Sequence, residues 1–172
     1  MNLSEHASRT MKLWTEEFKT APPPYIAQKM VHKSSTKNVF VSRVESLGAE
    51  QPDQYVHQLV FDQNHIFFFE HAVDHVPGLL LIEAGRQAAL VIAHTFYDVP
   101  FDTVFVLSKL ATEFQNFVEL EHPVFGTAKV LNTKYRRGNM YELQMDGNFI
   151  QKEKILGNLS GTFTIYNKQT FK

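Results

Sequence analysis

The run Pro77-Gly78-Leu79-Leu80-Leu81-Ile82-Glu83-Ala84-Gly85-Arg86-Gln87-Ala88-Ala89-Leu90-Val91-Ile92-Ala93-His94-Thr95-Phe96 decides how this chain folds. Pro77-Gly78 punctuates its start, and the apolar residues that follow cover most of a helical circumference, so the spacing predicts one helix over 78–96. A helix apolar nearly all round is buried inside its own domain. Glu83, Arg86 and Gln87 in the same span oppose a membrane reading, because three polar groups are costly in hydrocarbon. With Glu83 at zero and about 100° per residue, Arg86 lies near −60°, Gln87 near +40° and His94 near +20°. All four share one arc. Charges buried there need partners, solvent or a ligand. Two readings stay open: an i,i+3 ion pair closing on itself with Gln87 bonding a neighbouring strand, or a cleft of perturbed functional groups. His94, two turns further on, reads as a structural histidine.

On either side of this helix the chain is strand-like. Segments 38–44 and 55–61 precede it, and 103–107, 112–120, 124–135, 140–146 and 150–166 follow. The last is too long for one strand without a bend, which Gly157 would supply. Arg137-Gly138-Asn139 reads as a hairpin turn. Strands, one buried helix and then many antiparallel strands make an α+β pattern, a sheet wrapped round a central helix, the architecture called a hotdog. At the N-terminus Leu3, Ala7, Met11, Trp14 and Phe18 recur at helical spacing, and Ala21-Pro22-Pro23-Pro24 ends that helix. The expected organisation is therefore an amphipathic helix and Pro-rich linker over 1–24, followed by a single domain over 25–172.

Composition narrows the function. Lys+Arg total 17 against 18 Asp+Glu, a formal charge of -1 that argues against nucleic acid as the main partner. The absence of cysteine removes thiolate zinc sites and cysteine nucleophiles. No apolar leader is visible at the N-terminus, so a cytoplasmic protein without a membrane role is expected. Lys134, Arg136 and Arg137 read as a solvated hairpin face, with docking of an acidic carrier protein as the alternative.

Upstream of the helix lies Asn64-His65-Ile66-Phe67-Phe68-Phe69-Glu70-His71-Ala72-Val73-Asp74-His75-Val76. His71, Asp74 and His75 offer metal-ligating atoms, but they precede a Pro-Gly break rather than sharing a helical face, so no metal is expected. A histidine acting in proton transfer beside a helix N-terminus is more economical, since the free N–H groups there can hold a carbonyl oxygen or oxyanion. Gly78 permits close approach of a ligand to that backbone.

The string from Phe67 to Ala88, with His71, Asp74-His75-Val76-Pro77-Gly78 and Glu83-Ala-Gly-Arg86-Gln87, resembles the AfsA family, hotdog proteins of A-factor (γ-butyrolactone) biosynthesis. Val31-His32-Lys33 followed by Asn38-Val39-Phe40-Val41 is similar to that family's first strand region. A more distant similarity runs to the 3-hydroxyacyl-ACP dehydratases, but Arg86 stands where those usually carry a small residue, and the loop after His71 is shorter. The resemblance implies acyl transfer from a β-ketoacyl thioester, on acyl carrier protein or coenzyme A, to a small phosphorylated acceptor such as dihydroxyacetone phosphate. It implies Glu83, Arg86, His71 and His75 as catalytic residues, and Asp74, Gly78, Gln87 and Phe68 as substrate-binding ones. No cofactor is implied. Phe105, Phe114 and Phe117 are candidates to line an acyl tunnel, or plain core. Better-known members carry two hotdog units and this sequence holds one, so a homodimer with the site at its interface is expected. A dehydratase or thioesterase on the same thioesters, or a non-catalytic acyl-thioester-binding subunit, are the alternatives.

Overall fold

The computed structural model describes residues 4–169. The central helix, α2, spans Gly78–Phe96, with Pro77 as its N-cap. Six strands follow the chain as β1 (Val41–Ser46), β2 (Gln54–Leu59), β3 (Thr103–Phe114), β4 (Phe125–Arg136), β5 (Asn139–Gln151) and β6 (Lys154–Asn167). They form one antiparallel sheet in the order β1-β2-β4-β5-β6-β3, so β1 and β3 are its edges. The sheet wraps α2, whose Leu80, Leu90 and Ile92 have no exposed surface. Burying such a side chain contributes about 1.5–3 kcal/mol, which is why the apolar run seats here. By length and apolarity α2 would also suit a membrane span, but 61% of that stretch is buried within the domain.

The N-terminal helix α1, Glu5–Phe18, lies on the other face of the sheet. Ser4 caps it, its side chain accepting from the Ala7 N–H at 3.1 Å. Ala7, Met11 and Trp14 pack on Val56, Phe125 and Ile150. Leu3, the first residue of the expected stripe, lies outside the described residues. Arg43 holds α1 twice, pairing with Glu17 and lying 5.7 Å from the centre of the Trp14 ring.

Several strand boundaries differ from the sequence reading, among them the end of segment 140–146, which runs on to Gln151. Segment 38–44 starts late because Thr36–Asn38 forms a 3-10 turn. Segment 103–107 and the start of 112–120 fuse into β3, whose pairing with β6 continues through Phe114, and residues 115–120 lie outside the strand. The long segment 150–166 breaks at Lys152 and Glu153, both at positive φ (52° and 63°), rather than near Gly157. Gly157 instead sits inside β6 where backbones crowd, and a Cβ there would stand 2.5 Å from the Glu113 carbonyl oxygen. The expected 137–139 hairpin is present, with Arg137 and Gly138 both in the left-handed region. Arg136 and Arg137 are exposed on it, and Lys134 pairs across the strands with Glu142 at 2.6 Å.

Candidate active site

The polar stripe of α2 is a closed cluster. Arg86 donates from Nε to Glu83 Oε2 at 2.7 Å and from Nη2 to Oε1 at 2.8 Å, a bidentate pair one turn apart. Gln87 has no exposed surface, and its whole amide is used. Its Nε2 donates to Glu83 Oε1 at 2.9 Å and to the Asn38 carbonyl at 2.7 Å, while its Oε1 accepts from the Phe40 N–H at 2.8 Å. These last two bonds hold the segment before β1 against the helix.

Lys33 completes the cluster, with Nζ 2.8 Å from Glu83 Oε1. The sequence reading gave this residue no role. A 3-10 turn, Gln28–Val31, ends in His32 at φ 55°, which redirects the chain towards α2. Val31 and Val39 pack on Val91 to anchor it. Burial pushes the Glu83 carboxyl up, but bonds from Arg86, Gln87 and Lys33 outweigh it and hold the group down to about 2. Two cations therefore converge on one carboxylate that stays ionised at neutral pH.

His32 brings a second group to the same stripe. His94 Nδ1 lies 2.6 Å from the Val99 carbonyl, which can only accept, so that nitrogen carries the proton. His94 Nε2 then accepts from His32 Nε2 at 2.9 Å, leaving His32 Nδ1 as an acceptor. Phe101 and Phe105 pack around the pair. Burial, reinforced by His94 and nearby cations, pushes His32 down to about 4, so the pair is neutral at pH 7. His94 thus has the structural bonds expected of it, and it also positions a second imidazole.

The remaining candidates lie elsewhere. His75, Gly78, Phe114 and Phe117 line a separate groove at the N-terminus of α2. His75 packs 5.2 Å from the Phe117 ring and bonds Asp74 at 2.8 Å. A Cβ on Gly78 would stand 2.9 Å from the Phe114 ring, so the glycine lets this aromatic lie against the helix start. His71 and Asp74 are exposed on the loop. Phe68 meets Phe40 edge-on at 5.2 Å and has no direct bond to the Glu83 cluster. Along α2, Gly78 and Glu83 are about 7.5 Å apart and roughly 140° apart in direction, so within one chain they address different volumes. Among the described residues no three His, Asp or Glu side chains converge to hold a metal.

Between α2 and the sheet runs a narrow cavity of about 50 Å³. Ile82, Gly85, Arg86 and Ala89 form its helical wall. Leu107, Leu110, Leu159, Phe149 and Phe163 are among the sheet residues facing it. None of the three phenylalanines singled out from the sequence lines it. Phe105 packs on His32, His94 and Phe163, and Phe114 and Phe117 belong to the groove at Gly78.

The family described as "AfsA: A-factor biosynthesis hotdog domain" matches residues 14–167. The chain belongs to the AfsA family. A 2-oxo-3-(phosphooxy)propyl 3-oxoalkanoate synthase of Streptomyces virginiae is 32% identical over 109 residues, 63% of this AfsA-family chain and 32% of the relative. The synthase of the same name from Streptomyces griseus is 37% identical over 68 residues, 40% of this chain and 20% of the relative. The chain thus spans about a third of the first of these and a fifth of the second. Among solved structures, an uncharacterized protein from Pyrococcus horikoshii superposes with TM-score 0.56 at 13% identity, covering 86% of this chain and 98% of that one. A phenylacetic acid degradation-related protein from Ralstonia eutropha gives 0.51 at 15% identity, covering 71% and 83%. These structural likenesses show the fold, and the AfsA-family chain is a hotdog.

Acid titration tests the buried histidines. Burial alone pushes His57, on β2, from 6.5 down to about 4. The unfolded chain takes up that proton near 6.5 and the folded one only near 4, so the stability tied to a neutral His57 is complete above 6.5 and lost as pH falls toward 4. His32 contributes with the same sign. Denaturation midpoints should fall across this window, and His57→Leu should flatten the fall.

Proposed function

We propose that this protein is an acyltransferase that moves a β-ketoacyl group from a carrier-protein or coenzyme A thioester to the hydroxyl of a small phosphorylated C3 acceptor. The observation that carries this reading is the convergence of Lys33 and Arg86 on Glu83. A phosphate arriving there competes with the carboxylate for both cations, and the guanidinium fork suits it. As Arg86 and Lys33 turn to the phosphate, Glu83 loses the partners that hold its proton affinity down and becomes a usable base. The acceptor hydroxyl oxygen then bonds to the thioester carbonyl carbon while its proton passes to Glu83. The C–S bond breaks, and the thiolate leaves with that proton. The printed name of the Streptomyces relatives describes a phosphooxypropyl ester of a 3-oxoalkanoate, which agrees with such a product. The cavity beside Arg86 is where the acyl chain would lie.

A second copy of the chain is part of this reading. Gly78 with His75 and Glu83 with Arg86 occupy separate places in one chain, and two copies joined at β3 bring one group of each toward the other. The β3 edge and its surroundings are suited to that contact, with Leu110 46%, Phe114 44%, Leu79 63% and Phe117 79% exposed. In a dimer, the Gly78 N–H would hold the carbonyl oxygen and His75 would orient the acceptor. Sedimentation should give a dimer, and Leu110→Arg on the edge strand should give a folded monomer with turnover lost. A monomeric wild type with full turnover would remove the dimer from the reading.

The deciding experiment is mass spectrometry of protein incubated with a β-ketoacyl thioester, with and without dihydroxyacetone phosphate. An acyl ester of the phosphorylated acceptor, formed only when it is present, is the expected product. Free acid or an enoyl thioester formed without it would replace transfer by hydrolysis or dehydration.

A further inference from the structure

The cavity under α2 crosses the sheet. Its lining draws on β3 (Leu107, Leu110), β6 (Leu159, Gly161), β5 (Met145, Gly147), β4 (Ala128) and finally β2, whose contribution is His57. Four strand spacings of about 4.8 Å give a path of roughly 19 Å from the β3 edge to His57. In the single chain the β3 end is open, Leu110 being 46% exposed there, and in the proposed dimer it would give onto the interface. The β2 end is shut, because His57 is only 3% exposed.

Two glycines let side chains of this lining lie directly against backbone. Gly126 lies opposite His57 across the β2–β4 pair, and a Cβ on it would stand 2.2 Å from the imidazole Cε1 and Nε2. The ring therefore lies flat over a bare stretch of backbone. Gly85 on the helix faces Leu159 in the same way, at 2.2 Å. Neither imidazole nitrogen of His57 has a hydrogen-bond partner, although both are buried. A neutral imidazole offers one N–H donor and one lone pair, and leaving such buried groups unpaired costs about 1–3 kcal/mol each. An apolar side chain of the same shape would fill this position without that cost.

We propose that His57 is a specificity-determining residue at the blind end of this cavity, selecting chains whose far end carries an oxygen function, a hydroxyl or carbonyl, over plain hydrocarbon chains. This rests on the cavity holding the acyl chain, as set out above. A hydroxyl at the tip would accept from the imidazole N–H or donate to its lone pair. A bare methyl at the same depth would leave both nitrogens unpaired. Sites built to bond a substrate hydroxyl reject the analogue lacking it far more strongly than apolar pockets reject an extra group.

The test uses alkyl thioethers of pantetheine, from six to twelve carbons, each with and without a terminal hydroxyl. Binding to the full chain is measured calorimetrically for wild type, His57→Leu and His57→Gln, with melting curves to confirm that each variant is folded. Wild type is expected to bind one hydroxyl-tipped length at least about tenfold more tightly than its plain counterpart. His57→Leu should reverse that preference and His57→Gln should keep part of it. Equal binding of the two series by wild type, or a preference that survives in His57→Leu, overturns the inference while leaving the acyl cavity standing. Binding of neither series overturns the acyl reading of the cavity and the inference with it.

Discussion

Glu83→Ala is expected to lower turnover about 100- to 10,000-fold, the range supplied by a positioned proton-transfer group. The same substitution should also destabilise the fold. It strips Arg86 of two bonds and Lys33 and Gln87 of one each, at a helix face where Gln87 is buried and the two cations are partly buried. Unpaired buried donors cost about 1–3 kcal/mol. The two effects are separable with Glu83→Gln, which keeps an acceptor for these donors but cannot take a proton. It should remain folded and still lose turnover. Acid titration gives a third signature. The Glu83 carboxyl is held at about 2, against an ordinary 4.5, so the unfolded chain protonates first as pH falls. Stability from the carboxylate is complete above pH 4.5 and drains as pH falls toward 2, by about 3 kcal/mol in total. Glu83→Gln should remove that portion of the acid limb in denaturant melts. A variant that keeps full turnover while losing stability would assign the cluster a purely structural role.

Gly147→Ala is expected to be the most damaging small substitution in the sheet. A Cβ at this position would sit 1.9 Å from the Thr127 carbonyl oxygen and 2.9 Å from its carbon. Both are backbone atoms of β4, paired directly with β5 at this level, so no side-chain rotation relieves the contact. The strands must part, and a loss exceeding about 3 kcal/mol follows, enough to leave much of a marginally stable domain unfolded. Gly161→Ala is the matched control. Its Cβ would first meet Leu107 Cδ1 at 3.3 Å, the flexible end of a side chain. Chemical denaturation should show a large shift in midpoint for the first and a small one for the second. Comparable shifts would mean that the close β4–β5 approach is not what requires glycine at 147.

Much of the fold was legible in the sequence because its signals are local. Residues 78–96 carry a helix-start signal and an apolar circumference, and α2 occupies that range. The strand-like segment 140–146 lies within β5, where Leu143 and Met145 are buried and Tyr141 is exposed. The β5–β6 turn escaped notice because Lys152 and Glu153 adopt left-handed backbone without the Gly or Asn that usually announces it. For the site, helical periodicity alone placed Glu83, Arg86 and Gln87 together, since residues three and four apart on a helix must meet.

What periodicity does not reach is contact between segments distant in the chain. Lys33 lies 50 residues before Glu83, and His32 lies 62 before His94, so only the left-handed turn at His32 and the packing of Val31 on Val91 bring them to α2. Helix geometry alone separates Gly78 from Glu83, but the groove that Gly78 shares with His75 depends on where Phe114 ends β3 and lies against the helix start. The cavity is the extreme case, since His57, Ala128, Gly147 and Gly161 come from four strands and share a wall only through the sheet's pairing register. The sequence by itself determined one buried helix and the polar stripe on it, because both follow from spacing along a single element. Tertiary structure alone decided which cations face that stripe and which histidine closes the space beneath it, because strand register is a global property of the paired chain.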